Sequence, residues 1–384
     1  MNSIWPALVD ISYIYNVPAK TMNFSGCFLA IGYLTGALTA MTHKWLNRQL
    51  MLVVMIAMTA TIIVFIPYYG KIQNLFIAGT IGGMGFGSWD CSNTFWLMEM
   101  WPKHQASIIQ AQQFVFGLGT ITSAIIMSQF VKGINTNGTE VTVKSRQDSL
   151  IIPFASIGSV QLISSIILPI LFIVRRYKKS VDETSSIDKD NESNSKQSLP
   201  TILHPKVKLI MMSLLFAFYT CAEQGYFFYS DTMFQYWKPV MTSSKSATVL
   251  ATLAATYTIG RLLTAFISMR LKPDLIIVYH YVIIIISLIW LNVTHYSEVS
   301  IYLGTAFLGY GFSAMWPAMV SFAEHHIGLT DQSNAIMFGS AGLGTVFTPL
   351  LIGSKLNDEP LILMKFCSIY FAISITLFII VRVC

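Results

Sequence analysis

The sequence predicts an all-α membrane protein built from two pseudo-symmetric helical halves. Three observations carry that expectation. The 384-residue chain is 54% hydrophobic and only 11% charged, where soluble domains average about a quarter charged. Apolar runs of about 20 residues, the length that crosses a bilayer, recur along it. Short motifs also repeat in order across a polar midsection at nearly one offset.

Residues 1–22 are mixed and broken by proline, and they do not read as a span. Spans are expected near 24–43, 50–69, 74–98, 105–131 and 150–174, then near 209–232, 246–269, 274–293, 299–323, 332–353 and 361–381. The segment from Arg175 to Lys208 is rich in Ser, Asn, Asp, Glu and Lys. Its composition cannot support a packed core, so it is expected to be a disordered cytoplasmic linker. The division is therefore residues 1–174 (helices 2–6), the linker 175–208, and residues 209–384 (helices 7–12).

With the linker inside, 14 Lys and Arg residues fall at inner positions and 9 at outer ones, while Arg261 lies within a span. That bias follows the positive-inside rule. The acceptor sequons at Asn137 and Asn292 then face outside, as glycosylation requires, whereas Asn191 falls inside.

Asp90 stands near the middle of the fourth-helix span. A carboxylate there costs about 2.5–3.5 kcal/mol by insertion scales and normally faces a watery cavity or a partner. Gly79, Gly83 and Gly87 make a small-residue stripe for close helix packing. Asp90 and Thr94 continue roughly that face, with Asn93 beside them. After the Trp101-Pro102 break, Gln110 and Gln113 share a face with Gly117 and Thr120. Carboxylate and amides at bilayer depth suit a polar, uncharged, hydroxyl-rich solute, and Asp90 reads first as a solute or ion ligand, with a structural hydrogen-bond hub as the alternative. Glu223 stands mid-span in the second half, either as a solute ligand or as the neutraliser of Arg261. Trp89, Trp96 and Trp316 are walls for a solute or ordinary packing. Glu99 and Glu324 sit at inner helix ends, solvated or in gate contacts.

Other chemistries find no footing. No Gly-rich nucleotide loop ends in Gly-Lys-Ser/Thr, and no nucleophile arrangement is recognisable, so no enzyme is expected. The five cysteines lack metal or disulfide spacing. His43, His325 and His326 lack a further ligand at useful spacing, so no metal site is expected. The net charge of +6 reflects membrane-flanking residues rather than nucleic-acid binding.

Ile31-Gly32-Tyr33-Leu34 parallels Ile259-Gly260-Arg261-Leu262 at an offset of 228. Gly83-x-Gly85-Phe86 parallels Gly309-x-Gly311-Phe312 at 226, and Gly117-Leu-Gly-Thr-Ile121 parallels Gly342-Leu-Gly-Thr-Val346 at 225. Parallel halves of this kind characterise the major facilitator architecture, whose solute site lies between them near the midplane. Subtracting 226 from helix 7 puts its counterpart at about −17 to 6, so eleven spans are expected, with helix 1 missing. Such an incomplete or truncated form is expected to transport poorly.

Several stretches resemble the sodium-dependent glucose transporter family, which sits beside the fucose permeases. Gly260-Arg-Leu-Leu263 with Ser268 and Leu271-Lys-Pro273 is similar to its loop between helices 8 and 9. Phe218 to Tyr226 resembles its seventh helix, Trp316 to Ile327 its tenth, and Thr330 to Gly353 its eleventh. The resemblance implies a carrier of a hexose such as glucose working by alternating access at the plasma membrane, a lipid-embedded monomer. Its coupling ion would be Na+, with H+ as the alternative. Asp90 falls where the fucose permeases carry a functional carboxylate. One departure concerns the loop between helices 2 and 3, where His43 replaces the usual acidic residue before Lys44, Asn47 and Arg48. The helix-end charge contact that latches one conformation is therefore expected to be altered. A non-transporting scaffold or receptor, or a passive pore, is the competing reading, since fold alone does not fix function.

Overall fold

A computed structural model describes residues 7–132, 141–174, 204–237, 241, 243–293, 297–352, 356 and 359–383. Most of the expected linker and the Asn137 sequon lie outside the described residues. Thirteen α-helices are described. The first half holds α1 (Leu8–Tyr15), α2 (Ala19–Leu38), α3 (Arg48–Val64), α4 (Ile72–Met100), α5 (Gln105–Ser128) and α6 (Val143–Val174). The second holds α7 (Pro205–Tyr236), α8 (Ser243–Ile267), α9 (Pro273–Val293), α10 (Glu298–Ser313), α11 (Met315–Ile327), α12 (Asp331–Ile352) and α13 (Ile362–Val383).

Seven helical segments are long and apolar enough by composition to cross a membrane. Helices α4 and α12 are not among them, because glycines and polar side chains lower their hydropathy. Among those polar residues, Ser88, Asp90, Thr94, Asn334 and Thr348 are buried. Helix α6 is the opposite case: Val160, Ile163, Ile166, Ile170 and Ile173 are each more than half exposed, as a lipid-facing surface requires.

Local chemistry sets the ends. Asn47 caps α3, its Oδ1 accepting from the backbone N–H groups of Gln49 (3.0 Å) and Leu50 (3.4 Å). Pro205 opens α7, where its missing N–H costs nothing. The expected span 299–323 is two helices, broken at Ala314. Pro317 cannot donate to the Ser313 carbonyl one turn earlier, so the ladder parts there.

The repeat is visible as paired contacts. Gly83 of α4 meets the Leu29 carbonyl of α2, and Gly309 of α10 meets Leu253 and Thr256 of α8. Gly117 of α5 packs on Thr258 of α8, while Gly342 of α12 packs on Tyr33 and Leu34 of α2. These last two contacts join the halves. The small-residue stripe is shorter than expected: Gly83 and Gly87 touch the α2 backbone, but Gly79 faces open space. Gly344 packs on Ala217 and Cys221 of α7, whereas its repeat mate Gly119 also faces open space.

One feature of the segment 1–22 was not expected. Asp10 on α1 and Arg146 on α6 form an ion pair with both side chains 1% exposed. The Lys132 backbone N–H also donates to Asp10 (2.9 Å), and the guanidinium lies 4.3 Å from the Tyr13 ring centroid. Together they pin α1 and the start of α6.

Candidate functional site

Close packing of α2 on α4 decides where Asp90 points. Gly32 and Gly36 let α2 approach the backbone at Thr80 and Met84. The Tyr33 hydroxyl therefore reaches across and donates to Asp90 Oδ2 at 2.8 Å. Asp90 is 8% exposed. One turn on, Thr94 is fully buried, and its hydroxyl has no hydrogen-bond partner among the described residues. Asn93 is only half-buried.

The second half answers with a chain of polar groups. Glu223 on α7 is 1% exposed and accepts a hydrogen bond from the Tyr257 hydroxyl at 2.7 Å. That hydroxyl in turn accepts from Arg261 Nη2 at 2.5 Å. Arg261 stacks 4.1 Å from the Tyr257 ring centroid, and its Nη1 crosses to the first half, donating to the Gln113 carbonyl at 2.9 Å. The guanidinium is near enough to interact through space with both Asp90 and Glu223. Thus the expected link between Glu223 and Arg261 exists, but it runs through Tyr257. Gln113 contributes its backbone carbonyl to that link.

Gln110 joins the same seam: its amide nitrogen donates to the Ala314 carbonyl at 3.3 Å, at the break between α10 and α11. Its Oε1, the Arg261 Nε and the Trp316 indole N–H are buried without a partner among the described residues. Trp316 packs on Phe216 and Phe338, with ring centroids 4.3 and 5.1 Å away. Beside Asp90, Asn334 of α12 donates to the Cys91 carbonyl at 3.1 Å.

The face that the charge distribution assigns to the cytoplasm, called inner here, is closed by charges. Arg48 donates to Glu99 Oε2 (2.6 Å) in its own half and to Asp331 Oδ1 (2.8 Å) in the other. Its guanidinium carbon lies 4.9 Å from the Phe95 ring centroid. A latch of Arg48, Glu99 and Asp331 thus exists without an acid at position 43. Lys44 ends the 3-10 turn Thr39–Lys44, and its side chain lies outside the described residues. Ser107 and Ser268 also meet across the halves, Oγ to Oγ at 3.0 Å. Gly260 permits the contact of α8 with Tyr310 and Ser313 of α10. Glu324 is engaged locally, accepting from the Leu329 N–H at 2.7 Å. At the outer end of α9, Asn292 is exposed and its amide bonds back to the Leu288 carbonyl at 2.8 Å.

Sequence reasoning missed Tyr33 and Tyr257, the two residues that hold the carboxylates. The repeat carried one clue. Tyr33 and Arg261 each follow the matched glycines Gly32 and Gly260, so both stand at one equivalent position.

The chain is similar to several known proteins. The sodium-dependent glucose transporter 1A of Mus musculus is 23% identical over 365 residues, spanning 90% of this chain and 83% of that protein. The major facilitator superfamily domain-containing protein 4A of Xenopus tropicalis is 20% identical, spanning 86% and 77%. Among solved structures, the proton:xylose symporter XylE bound to 6-bromo-6-deoxy-D-glucose superposes with a TM-score of 0.77 at 12% identity, over 98% of this chain and 90% of that one. FucP in the outward conformation gives 0.67 at 13% identity, over 98% and 96%. These likenesses establish a shared fold. The family model of the Major Facilitator Superfamily matches residues 1–382, and the chain belongs to that superfamily of multi-pass membrane transporters.

Proposed function

We propose that the chain is a secondary active carrier of a neutral hexose such as glucose, working by alternating access and coupled to a monovalent cation. One observation carries this reading. Among the described residues, helices of both halves carry buried polar groups without a partner: the Thr94 hydroxyl, Gln110 Oε1, Arg261 Nε and the Trp316 N–H. A buried polar atom left unpaired costs about 1–3 kcal/mol. A polyol supplies hydroxyls that both donate and accept, so its binding removes that cost. The likeness to a sodium-dependent glucose transporter and to the fold of a xylose symporter favours the same substrate class. Na+ is the first coupling ion to test and H+ the second. A plasma-membrane monomer glycosylated at Asn292 completes the proposal.

The test is uptake of labelled glucose by the chain in proteoliposomes, with sodium replaced by choline and with pH varied. Saturable, cation-dependent uptake supports the carrier. Linear uptake points to a pore, and no uptake or exchange points to a scaffold or receptor.

A further inference from the structure

We propose that the cleft at the inner end of the seam binds a small phosphate monoester, of the size of a phosphorylated hexose, and that its occupation holds the inner face shut. The feedback role rests on the carrier reading above, whereas the binding does not.

The cleft has a volume of about 250 Å³, and both halves line it. The first half supplies the stretch from Pro102 to Ser107. The second supplies the inner ends of α8 and α11 with the start of α9. This lining suits an anion. Helix α5 opens onto the cleft with Gln105, Ala106 and Ser107, and no side chain caps that end. An uncapped helix start offers N–H donors and a partial positive charge. The basic side chains Lys103, His104 and His325 line the cleft, and exposed Arg270 and Lys272 belong to the loop that lines it with Met269. Independently of these, Ser321 lines the cleft at 5% exposure, and its hydroxyl has no hydrogen-bond partner among the described residues. That hydroxyl is a buried donor for an incoming oxygen, and a phosphate oxygen is a strong acceptor. Glu324 is the one acid in the lining, and it is engaged by the Leu329 N–H at 2.7 Å.

Size narrows the ligand. Pockets for drug-sized molecules run from about 300 to 1,000 Å³. A nucleoside triphosphate exceeds this cleft, whereas a phosphate on one sugar ring does not. Gln105, Ser107 and Ser268 offer partners for the ring hydroxyls. A kinase reaction on the imported sugar produces a ligand of this class.

Ser107 and Ser268 meet across the halves at 3.0 Å. Opening the molecule inward parts them and divides the lining between the halves. The ligand therefore binds the inner-closed state better and raises its population. An ester that accumulates inside slows the inward opening that delivers more sugar.

The experiment measures binding of glucose 6-phosphate to the full chain by calorimetry, in nanodiscs of neutral lipid, against inorganic phosphate and glucose. The ester should bind saturably and more tightly than either fragment. Lys103→Gln, at an exposed position, should weaken it on the order of tenfold, and Ser321→Ala about two- to tenfold, as lost charged and neutral hydrogen bonds do. No binding would overturn the proposal, as would binding that neither substitution weakens. Anionic lipid that displaces the ester fully would make a headgroup the occupant and overturn it too. In vesicles, the ester sealed on the inner side should lower maximal glucose uptake on the order of fivefold, and Lys103→Gln should relieve that inhibition. Inhibition that Lys103→Gln leaves intact means the ester acts in the transport site, against the proposal. Failure of the carrier reading looks different: uptake is absent while the binding and its loss in the variants persist.

Discussion

Arg48 and Asp331 tie the inner ends of α3 and α12 together across the two halves, Nη2 to Oδ1 at 2.8 Å. Both side chains are partly solvated, at 17% and 25% exposure. Pairs of that kind are worth about 0.2–1 kcal/mol, or roughly a 1.5- to 5-fold shift in an equilibrium. Asp331→Asn should therefore raise the inward-open population by that factor. Labelling of a cysteine at Ser268 by an impermeant maleimide, added from the inner side, measures it. Unchanged labelling would mean the pair holds nothing shut.

Asp90→Asn should cut glucose uptake at least tenfold while leaving the protein folded. The amide oxygen can still accept from Tyr33, so the contact between α2 and α4 survives while the charge is lost. Uptake is read against surface amount and the elution profile of purified protein. Loss of folded protein, with no separable transport defect, would make Asp90 a scaffold residue.

Asp10→Ala should be the most damaging change outside the seam. It removes the carboxylate that pairs with the Arg146 guanidinium, which is 1% exposed. Breaking a buried pair from one side costs about 3–5 kcal/mol. Replacing Asp10 and Arg146 together by apolar residues should cost much less. Thermal unfolding in detergent compares the three proteins, and equal melting points for Asp10→Ala and its parent would refute the role.

Gly83→Ala and Gly79→Ala separate packing from mere composition. A Cβ at Gly83 collides with the Leu29 carbonyl, a backbone atom that cannot swing away, whereas one at Gly79 meets nothing. Overpacking of this kind costs about 1–3 kcal/mol. The Gly83 variant should lose thermal stability, and the Gly79 variant should match its parent.

The halves were legible because glycine at a helix crossing is a demand of geometry, and Gly32, Gly83 and Gly117 make that demand again at Gly260, Gly309 and Gly342. Asp90 and Glu223 stood out because carboxylates are conspicuous in apolar runs. Their tyrosine partners did not, because 17 tyrosines are scattered through an aromatic-rich chain and each could be packing. The ion pair of Asp10 with Arg146 joins residues 136 apart, and no local pattern connects them. The break at Ala314 was hidden because Pro317 sits in a run whose hydropathy never falters. What Gln113 offers was also unreadable: its backbone carbonyl carries the contact, and every residue type presents that same carbonyl.

The glycine contacts divide into two kinds with different stiffness. Between α2 and α4, Gly32, Gly36, Gly83 and Gly87 press backbone on backbone, with no rotamer to adjust. Across the seam, Gly117 meets the Thr258 side chain and Gly339 the Leu34 and Leu38 side chains, and only Gly342, against Leu34, adds a backbone contact to those named. The first kind is a weld and the second a bearing surface, since methyl and hydroxyl groups can slide over a bare Cα where carbonyls cannot. The contacts at Gly117 and Gly339 therefore yield more easily than the contact between α2 and α4, and the two helices that carry Tyr33 and Asp90 are held together as one stiff unit.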